Sequence, residues 1–360
     1  MRTATNDSIP ESAPPPSGQD PHLCAAWFEL LQRTAIPAGA VVDYIPVGPD
    51  EAPAQARLPL LRATATAPLQ TALANFYTPL FAPLGGECLS EAALARYFRE
   101  TRQRREIAEL RLAPLDPQSA FFASARRALE SAGWIVDSHF CFGNWYIDLD
   151  AGGFDTYWGQ RPAKLRNTAR RARRRLEAAP GFAIAITDGA AGLERAVDAF
   201  VSVYGRSWKP PEPWPRFIPE LCKLAAARGW LRLGVLELGG QAIAGQIWLV
   251  SGGCAYIVKL AYDRAFAAHA PGTVLSARMA ERVIDIDRVR RIDYLIGDDA
   301  YKRDWTPQRR ERHGLAAFNP LTMRGLAGAA WHFGGKALKR FGVHSDQRRC
   351  APPERKPSPA

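Results

Sequence analysis

No run of 18 or more apolar residues occurs in the 360-residue chain, so no membrane-spanning helix is expected. The N-terminal residues are polar and proline-rich. They lack the basic n-region and apolar h-region of a secretory signal. The six cysteines (Cys24, Cys88, Cys141, Cys222, Cys254 and Cys350) are scattered, form no CxxC pair, and in several cases sit in apolar runs. This usage points to buried free thiols in a reducing, cytoplasmic setting and away from a disulfide framework or a zinc site. His22, His139, His313, His332 and His344 show no ligand-like spacing, so no metal is expected. Short-period repeats are also missing, which sets aside the repeat architectures.

What the chain does have is an excess of positive charge. Lys and Arg number 47 against 36 Asp and Glu, a formal net charge of +11. An anionic partner fits that balance, whether CoA, a nucleotide sugar, tRNA or a membrane surface. Arginine-rich coding is the plainer alternative. Hydrophobic residues at 47% and charged residues at 23% are ordinary for a globular protein. The length suits two domains or one large one. Residues 1–23 read as a disordered leader, and the end from about 345 to 360 has a similar composition.

The first half alternates strand-like and helix-like segments. Residues 41–47, 58–62 and 106–112 read as strands, and 89–102 as a helix with Ser90 as N-cap. Residues 117–132 read as a helix, with Pro117 in its first turn and Gly133 past its end. Two β-like runs, 134–142 and 145–149, flank Gly143-Asn144 and predict a hairpin. In the second half, 161–178 is a long basic helix, 182–187 a short strand, and 192–204 and 217–227 are helices. Three strand-like runs follow at 231–238, 242–250 and 255–261, separated by Gly239-Gly240 and Gly252-Gly253, which predicts antiparallel hairpins. A helix at 272–286 and a strand at 291–296 complete a βαβ crossover. The expected class is α+β, with a mixed, partly antiparallel sheet rather than a Rossmann sheet.

The crossover is where chemistry is expected. Backbone amides at a helix start are unpaired and bind phosphate, and Gly272 would let a ligand approach closely. Pro271 needs no amide and suits the first turn; an ordinary helix start is the alternative. The loop Gly297-Asp-Asp-Ala-Tyr-Lys302 follows the last strand directly, a common place for a site. In a group transfer, Asp298 could orient or deprotonate a nucleophile and Tyr301 could protonate a leaving group. Lys302 could stabilise the oxyanion; a solvated loop with a local Asp–Lys pair is the plainer reading. Eight of the fifteen residues from 161 to 175 are Lys or Arg, and Arg166, Arg170, Arg173 and Arg174 share a helical face. Trp208 and Trp214 either stack on a sugar ring or plug their loop onto the core. Residues 323–341 are amphipathic and basic, fit either for an anionic membrane surface or for packing on the protein.

The run from 231 to 305 resembles the GNAT acyltransferase superfamily. More narrowly, it resembles the branch associated with cellulose and exopolysaccharide biosynthesis that is related to the Fem peptidyltransferases. The matching residues are 234–244, Tyr256-Ile-Val-Lys-Leu-Ala-Tyr-Asp263, His269-Ala-Pro-Gly-Thr-Val-Leu275, and Asp293-Tyr-Leu-Ile-Gly-Asp-Asp-Ala-Tyr-Lys302 with Trp305. Phe76-Tyr-Thr-Pro-Leu-Phe81 resembles the same branch. The resemblance implies two tandem GNAT-like domains, a degenerate one at 24–150 and an acyl-CoA-binding one at 151–320, with a basic helix and tail at 321–360. It implies acetyl-CoA or another acyl-CoA as donor, with no metal. Pyrophosphate would lie on the amides of Ala270, Gly272, Thr273 and Val274, near His269 and shaped by Pro271. Pantetheine would run along Ile257, Val258, Lys259 and Leu260. Lys302, Tyr301 and Asp298 would be catalytic, and Lys164, Arg166 and Trp208 would contact a sugar or amine acceptor. The family's usual loop carries more than one glycine, and this one has a single glycine. An aminoacyl-tRNA donor, as in Fem enzymes, is the first alternative; nucleic acid is otherwise not expected. A non-catalytic basic binding protein is the second. Peripheral contact with the inner membrane face is compatible with a cytoplasmic location.

Overall fold

A computed structural model describes residues 19–340. The expected tail, most of the expected leader, and Cys350 and His344 lie outside the described residues. The remainder of the 1–23 leader is part of the fold: Pro21–Leu23 forms a helical turn and His22 is fully buried.

Helix α1 (Ala25–Thr34) precedes strands β1 (Val41–Pro46), β2 (Arg57–Arg62) and β3 (Leu69–Ala72). Then come α2 (Glu91–Arg104), β4 (Glu109–Leu115), α3 (Ala120–Ser131) and β5 (Ile135–Asp148). Helices α4 (Gly153–Gly159) and α5 (Ala163–Glu177) lead to β6 (Ala183–Thr187), α6 (Leu193–Gly205) and α7 (Phe217–Ala227). The meander is β7 (Leu231–Leu238), β8 (Gln241–Ser251) and β9 (Cys254–Tyr262). Helix α8 (Pro271–Glu281), β10 (Arg291–Asp293), α9 (Lys302–Trp305), β11 (Gln308–Phe318) and α10 (Met323–Arg340) close the chain. The strands form one eleven-stranded sheet in the order β1-β2-β3-β4-β11-β5-β10-β9-β8-β7-β6. Among the described strands, only β3–β4 and β9–β10 pair in parallel. The mixed, helix-flanked sheet expected from the sequence is therefore what forms.

Local chemistry explains the helix starts. Ser90 Oγ accepts the Ala93 amide at 3.3 Å and caps α2. Ser119 Oγ accepts the Phe122 amide at 3.1 Å. That cap starts α3 at Ala120 and leaves Pro117, placed in the first turn by the sequence reading, outside the helix. Two large hydrophobic clusters flank the sheet, with a small third one where α10 meets β11. One draws on α1, α2, α3, α6 and α7, the other on α4, α5 and α8. The α1 residues Trp27, Phe28, Leu30 and Leu31 are almost fully buried, each contributing about 1.5–3 kcal/mol.

Several expectations are corrected. The hairpin at Gly143-Asn144 does not exist; β5 runs straight through it. Gly143 pairs with Glu311 and Asn144 with Arg310 on β11, so a tertiary ladder replaces the turn. A Cβ on Gly143 would lie 2.7 Å from the Arg309 guanidinium, which crosses the strand there. Strand β11, helices α1 and α4, and strand β3 were not anticipated. The expected strand 291–296 stops at Asp293, whose carboxylate accepts the Leu295 amide at 2.7 Å while Leu295 takes a positive φ of 54°. The expected helix 272–286 ends as α at Glu281 and continues as a π turn, Arg282–Ile286. The five described cysteines are free thiols, with Cys24, Cys222 and Cys254 buried. Among the described residues, no helix is long and apolar enough to cross a membrane.

Candidate active site

Strand β10 is short, and this shapes the site. It pairs with β9 only from Cys254 to Tyr256. Past Tyr256, β9 continues to Tyr262 paired with β8 alone. Its other edge carries no strand among the described residues, and backbone donors and acceptors there have to find other partners. A cavity of about 240 Å³ opens at this edge. Ile257, Val258, Lys259 and Leu260 line one side; Tyr294, Asp299, Tyr301 and Lys302 line the other. The structure thus brings together the strand segment and the loop that sequence reading singled out separately.

Lys302 is buried beneath its own loop. Its Nζ donates to the carbonyls of Ile296 (2.7 Å) and Gly297 (3.2 Å) and pairs with Asp299 at 3.0 Å. Tyr301 is half-exposed and meets the Tyr294 ring edge-on at 6.2 Å. Burial, and then the Asp299 charge, push its hydroxyl above the ordinary tyrosine range, so it remains a proton donor. Asp298 does not line the cavity. Its carboxylate accepts Trp145 Nε1 at 2.8 Å and Arg309 Nη2 at 2.7 Å. The Arg309 hydrogen bonds hold it below the usual carboxylate range.

The cavity also contains Lys209 and the partners of Glu212, together with Phe76 and Tyr77, which sequence reading quoted only as part of a resembling segment. Phe76, Tyr77 and Lys209 line it. Lys259 Nζ pairs with Glu212 Oε1 at 2.6 Å, and both side chains are nearly buried. The Tyr77 hydroxyl donates to the other Glu212 oxygen. The same ammonium lies 4.9 Å from the Tyr77 ring centre, 5.1 Å from Phe76 and 5.6 Å from Tyr204, within cation–π range. Burial opposes ionisation of Glu212, but Lys259 and the phenol donors prevail and hold it low. At Lys259 burial prevails and the ammonium is pushed down. Lys209 is pushed down to about 8, by burial first and then by the charges of Lys259 and Lys302. Lys209 and Glu212 stand far in sequence from the rest of the cavity, in a loop whose Trp-Lys-Pro-Pro run gives no catalytic pattern, which is why motif spacing did not find them.

The expected phosphate loop lies beyond the far end of β9. Ala270 takes a left-handed conformation, φ 45°, and precedes α8. Its amide donates to Ala267 O at 3.0 Å; those of Thr273 and Val274 donate to Ala270 O at 3.1 and 3.2 Å. Of the four amides expected to hold pyrophosphate, that of Gly272 alone has no such backbone acceptor among the described residues. A Cβ on Gly272 would lie 3.1 Å from the Tyr262 ring, so this glycine also lets α8 close onto β9. His269 Nδ1 is buried without a partner. Trp208 is half-exposed and packs on Tyr262 at 4.5 Å, outside the cavity. Trp214 stacks with Phe76 at 5.9 Å. Lys164 and Arg166 lie on α5; Arg166 lines a different cleft.

Residues 163–303 match a family model described as an acetyltransferase (GNAT) domain. No curated protein matches the sequence. Among solved structures, FemX superposes with a TM-score of 0.56 at 13% identity, over 84% of this chain and 93% of that one. The C-terminal domain of a protein assigned as a lysylphosphatidylglycerol synthetase, from Agrobacterium fabrum, gives 0.53 at 14% identity, over 83% and 89%. A conserved protein of unknown function from Bacteroides thetaiotaomicron gives 0.51 at 12%, over 78% and 86%. The likenesses speak for the fold alone. The family match makes residues 163–303 a GNAT-type acyltransferase domain.

Proposed function

We propose that the chain transfers an acyl group from acyl-CoA to an amine or hydroxyl acceptor in the cavity beside Lys302. The observation that carries this reading is the open edge of β9 from Ile257 to Leu260, which leads from the loop at Tyr301 toward the start of α8. An extended, amide-bearing pantetheine arm can pair with such an edge as a strand would. The Gly272 amide and His269 fit a phosphate group at its far end. The bound thioester supplies the acyl group. Lys209, neutral in part near its lowered pKa of about 8, takes the proton from the attacking amine. The Tyr301 hydroxyl donates to the departing thiolate. Lys302 and Asp298 are positioning residues: one gathers the loop carbonyls, the other fixes the loop to Trp145 and Arg309.

The segment 24–150, read as a degenerate GNAT-like half, brings Phe76 and Tyr77 to the cavity and so supports the acceptor side. The resemblance to the exopolysaccharide branch makes an amino sugar the acceptor class to try first. The exposed Met323 and Trp331 on α10 support a peripheral membrane contact.

Thermal shift and calorimetry against acetyl-CoA, longer acyl-CoAs and free CoA test the donor. Saturable binding, abolished by Gly272→Glu, is expected. Absence of binding at millimolar CoA overturns the proposal. One observation favours a second donor: three of the four loop amides are already bonded, which weakens a pyrophosphate site. Aminoacyl-tRNA, the donor of Fem enzymes, would then bind with steep salt dependence while CoA would not.

A further inference from the structure

A second cleft, of about 620 Å³, lies between α4, α5, β6 and α8. Its volume is in the range of small-molecule sites, and it shares no lining residue with the cavity beside Lys302. Its floor is apolar. Phe154, Trp158, Phe182 and Ile184 are each only partly covered by the fold, and Phe154 and Trp158 stack at 5.5 Å. Such ring surface remains accessible at a thermodynamic cost unless something apolar covers it.

The rim is cationic. Arg166, Arg170 and Arg173 come from successive turns of one α5 face, and Arg278 faces them from α8. Like charges at this spacing repel. Arg173 is compensated by Glu177 at 2.7 Å and Arg278 by Glu281 at 2.9 Å. Arg170 reaches only the neutral Asn167 side-chain oxygen, at 3.0 Å, and Arg166 has no ion-pair partner among the described residues. Two uncompensated guanidinium groups therefore stand over an apolar floor.

We propose that this cleft binds an anionic amphiphile, with its hydrocarbon chain on Phe154, Trp158 and Phe182 and its phosphate or carboxylate on Arg166 and Arg170. Each half of the arrangement excludes a different alternative. A neutral lipid gives the arginines nothing to bind, and a nucleic acid backbone has no use for an apolar floor. Guanidinium groups suit the head because they bind phosphate or carboxylate oxygens in pairs. The proposal is independent of the acyl-transfer reading, since it concerns a separate cleft and is read by binding alone.

The probe is decyl phosphate held below its micelle concentration, titrated into the full chain by calorimetry, with the difference in tryptophan fluorescence between the parent and Trp158→Phe as a second signal. Decanol and inorganic phosphate are the two half-ligand controls. Saturable binding of decyl phosphate is expected, tighter than either control. Arg166→Ala/Arg170→Ala should weaken it by about tenfold or more, the loss expected when charged hydrogen bonds are removed. Arg171→Ala/Arg175→Ala removes the same charge from the opposite face of α5 and should leave it unchanged. Ala277→Trp, which fills the cleft from α8, should abolish binding with an unchanged melting temperature. Equal weakening by the two arginine pairs would reduce the effect to net charge and overturn the proposal. So would inorganic phosphate or decanol binding as tightly as decyl phosphate. Capture by phosphatidylglycerol vesicles without binding of the monomeric probe would place the contact on the outer surface instead, and would equally overturn it.

Discussion

The Glu212 carboxylate and the Lys259 ammonium meet at 2.6 Å, nearly out of solvent, although one comes from a proline-rich loop and the other from β9. The pair ties the loop 208–215 to the open edge of the strand and fixes Lys209 over the cavity. Removing one partner leaves the other charge buried and uncompensated. Glu212→Gln should therefore lower unfolding free energy by about 3 kcal/mol, and Glu212→Gln/Lys259→Met should recover much of it. Urea denaturation of the four proteins in the cycle measures both. A single variant within about 0.5 kcal/mol of the parent, the range of an ordinary surface substitution, would show that the pair is not structurally important.

Lys209 carries a pH signature with a definite sign. Its folded pKa, about 8, is below the ordinary lysine value of 10.5, so between these values the unfolded chain binds more protons. Stability should rise with pH across that window, because the cost of a buried ammonium disappears as the folded side chain deprotonates. Below about 8 both states are protonated and the cost is constant. Melting curves from pH 7.5 to 10.5 should show the rise in the parent relative to Lys209→Met. The acyl-transfer rate should rise through an apparent pKa near 8, and Lys209→Met should flatten that limb. An unchanged profile in the variant would remove Lys209 from the mechanism.

Asp298→Asn separates positioning from catalysis. The exposed Arg309 pair it breaks is worth at most about 1 kcal/mol of stability, so the melting curve should hardly move. The donor affinity should persist while turnover falls, because the loop carrying Tyr301 loses its anchor to Trp145 and Arg309. Tyr301→Phe should lower turnover further at unchanged donor affinity. Equal rates in the parent and both variants would point to the non-catalytic reading of the fold.

Asn144 is 3% exposed and joins three strands. Its amide nitrogen donates to Asp293 Oδ1 at 2.7 Å and Leu295 O at 2.9 Å, and its oxygen accepts Arg310 Nε at 2.7 Å. Asn144→Leu is nearly isosteric but leaves those groups short of partners. A loss of about 1–3 kcal/mol per unsatisfied group is expected. Because Leu295 leads into the Tyr301 loop, donor binding should weaken too. Denaturation and calorimetry on the same variant check both effects.

Much of the second half was readable from local pattern. The glycine pairs at 239–240 and 252–253 separate three apolar runs, and β7, β8 and β9 form around those turns. Ser90 is the cap it promised to be. The loop ending at Lys302 does meet the Ile257–Leu260 segment. The Gly143-Asn144 dipeptide misled because the same two residues that favour a turn also fit a ladder when a third strand supplies partners. That strand, β11, begins Gln-Arg-Arg-Glu-Arg and carries no alternating apolar signal at its start.

The sequence by itself determined the order of elements around the crossover, the positive charge of α5 and the place of the loop that ends at Lys302 directly after the crossover, because these depend on spacing within a few turns of chain. Tertiary structure alone decided which edge of β9 stays open, since that follows from where Asp293 stops β10 and from the insertion of β11 between β4 and β5. It also decided that Glu212 and Lys209 belong to the cavity and that Arg166 belongs to another cleft. Burial and charge pairing across long sequence separations set those assignments, and no local pattern encodes them. The His269–Val274 turn shows both halves: its position before a helix was legible, while the bonding that leaves Gly272, of the four amides expected to hold pyrophosphate, without a backbone acceptor among the described residues is a property of the folded loop.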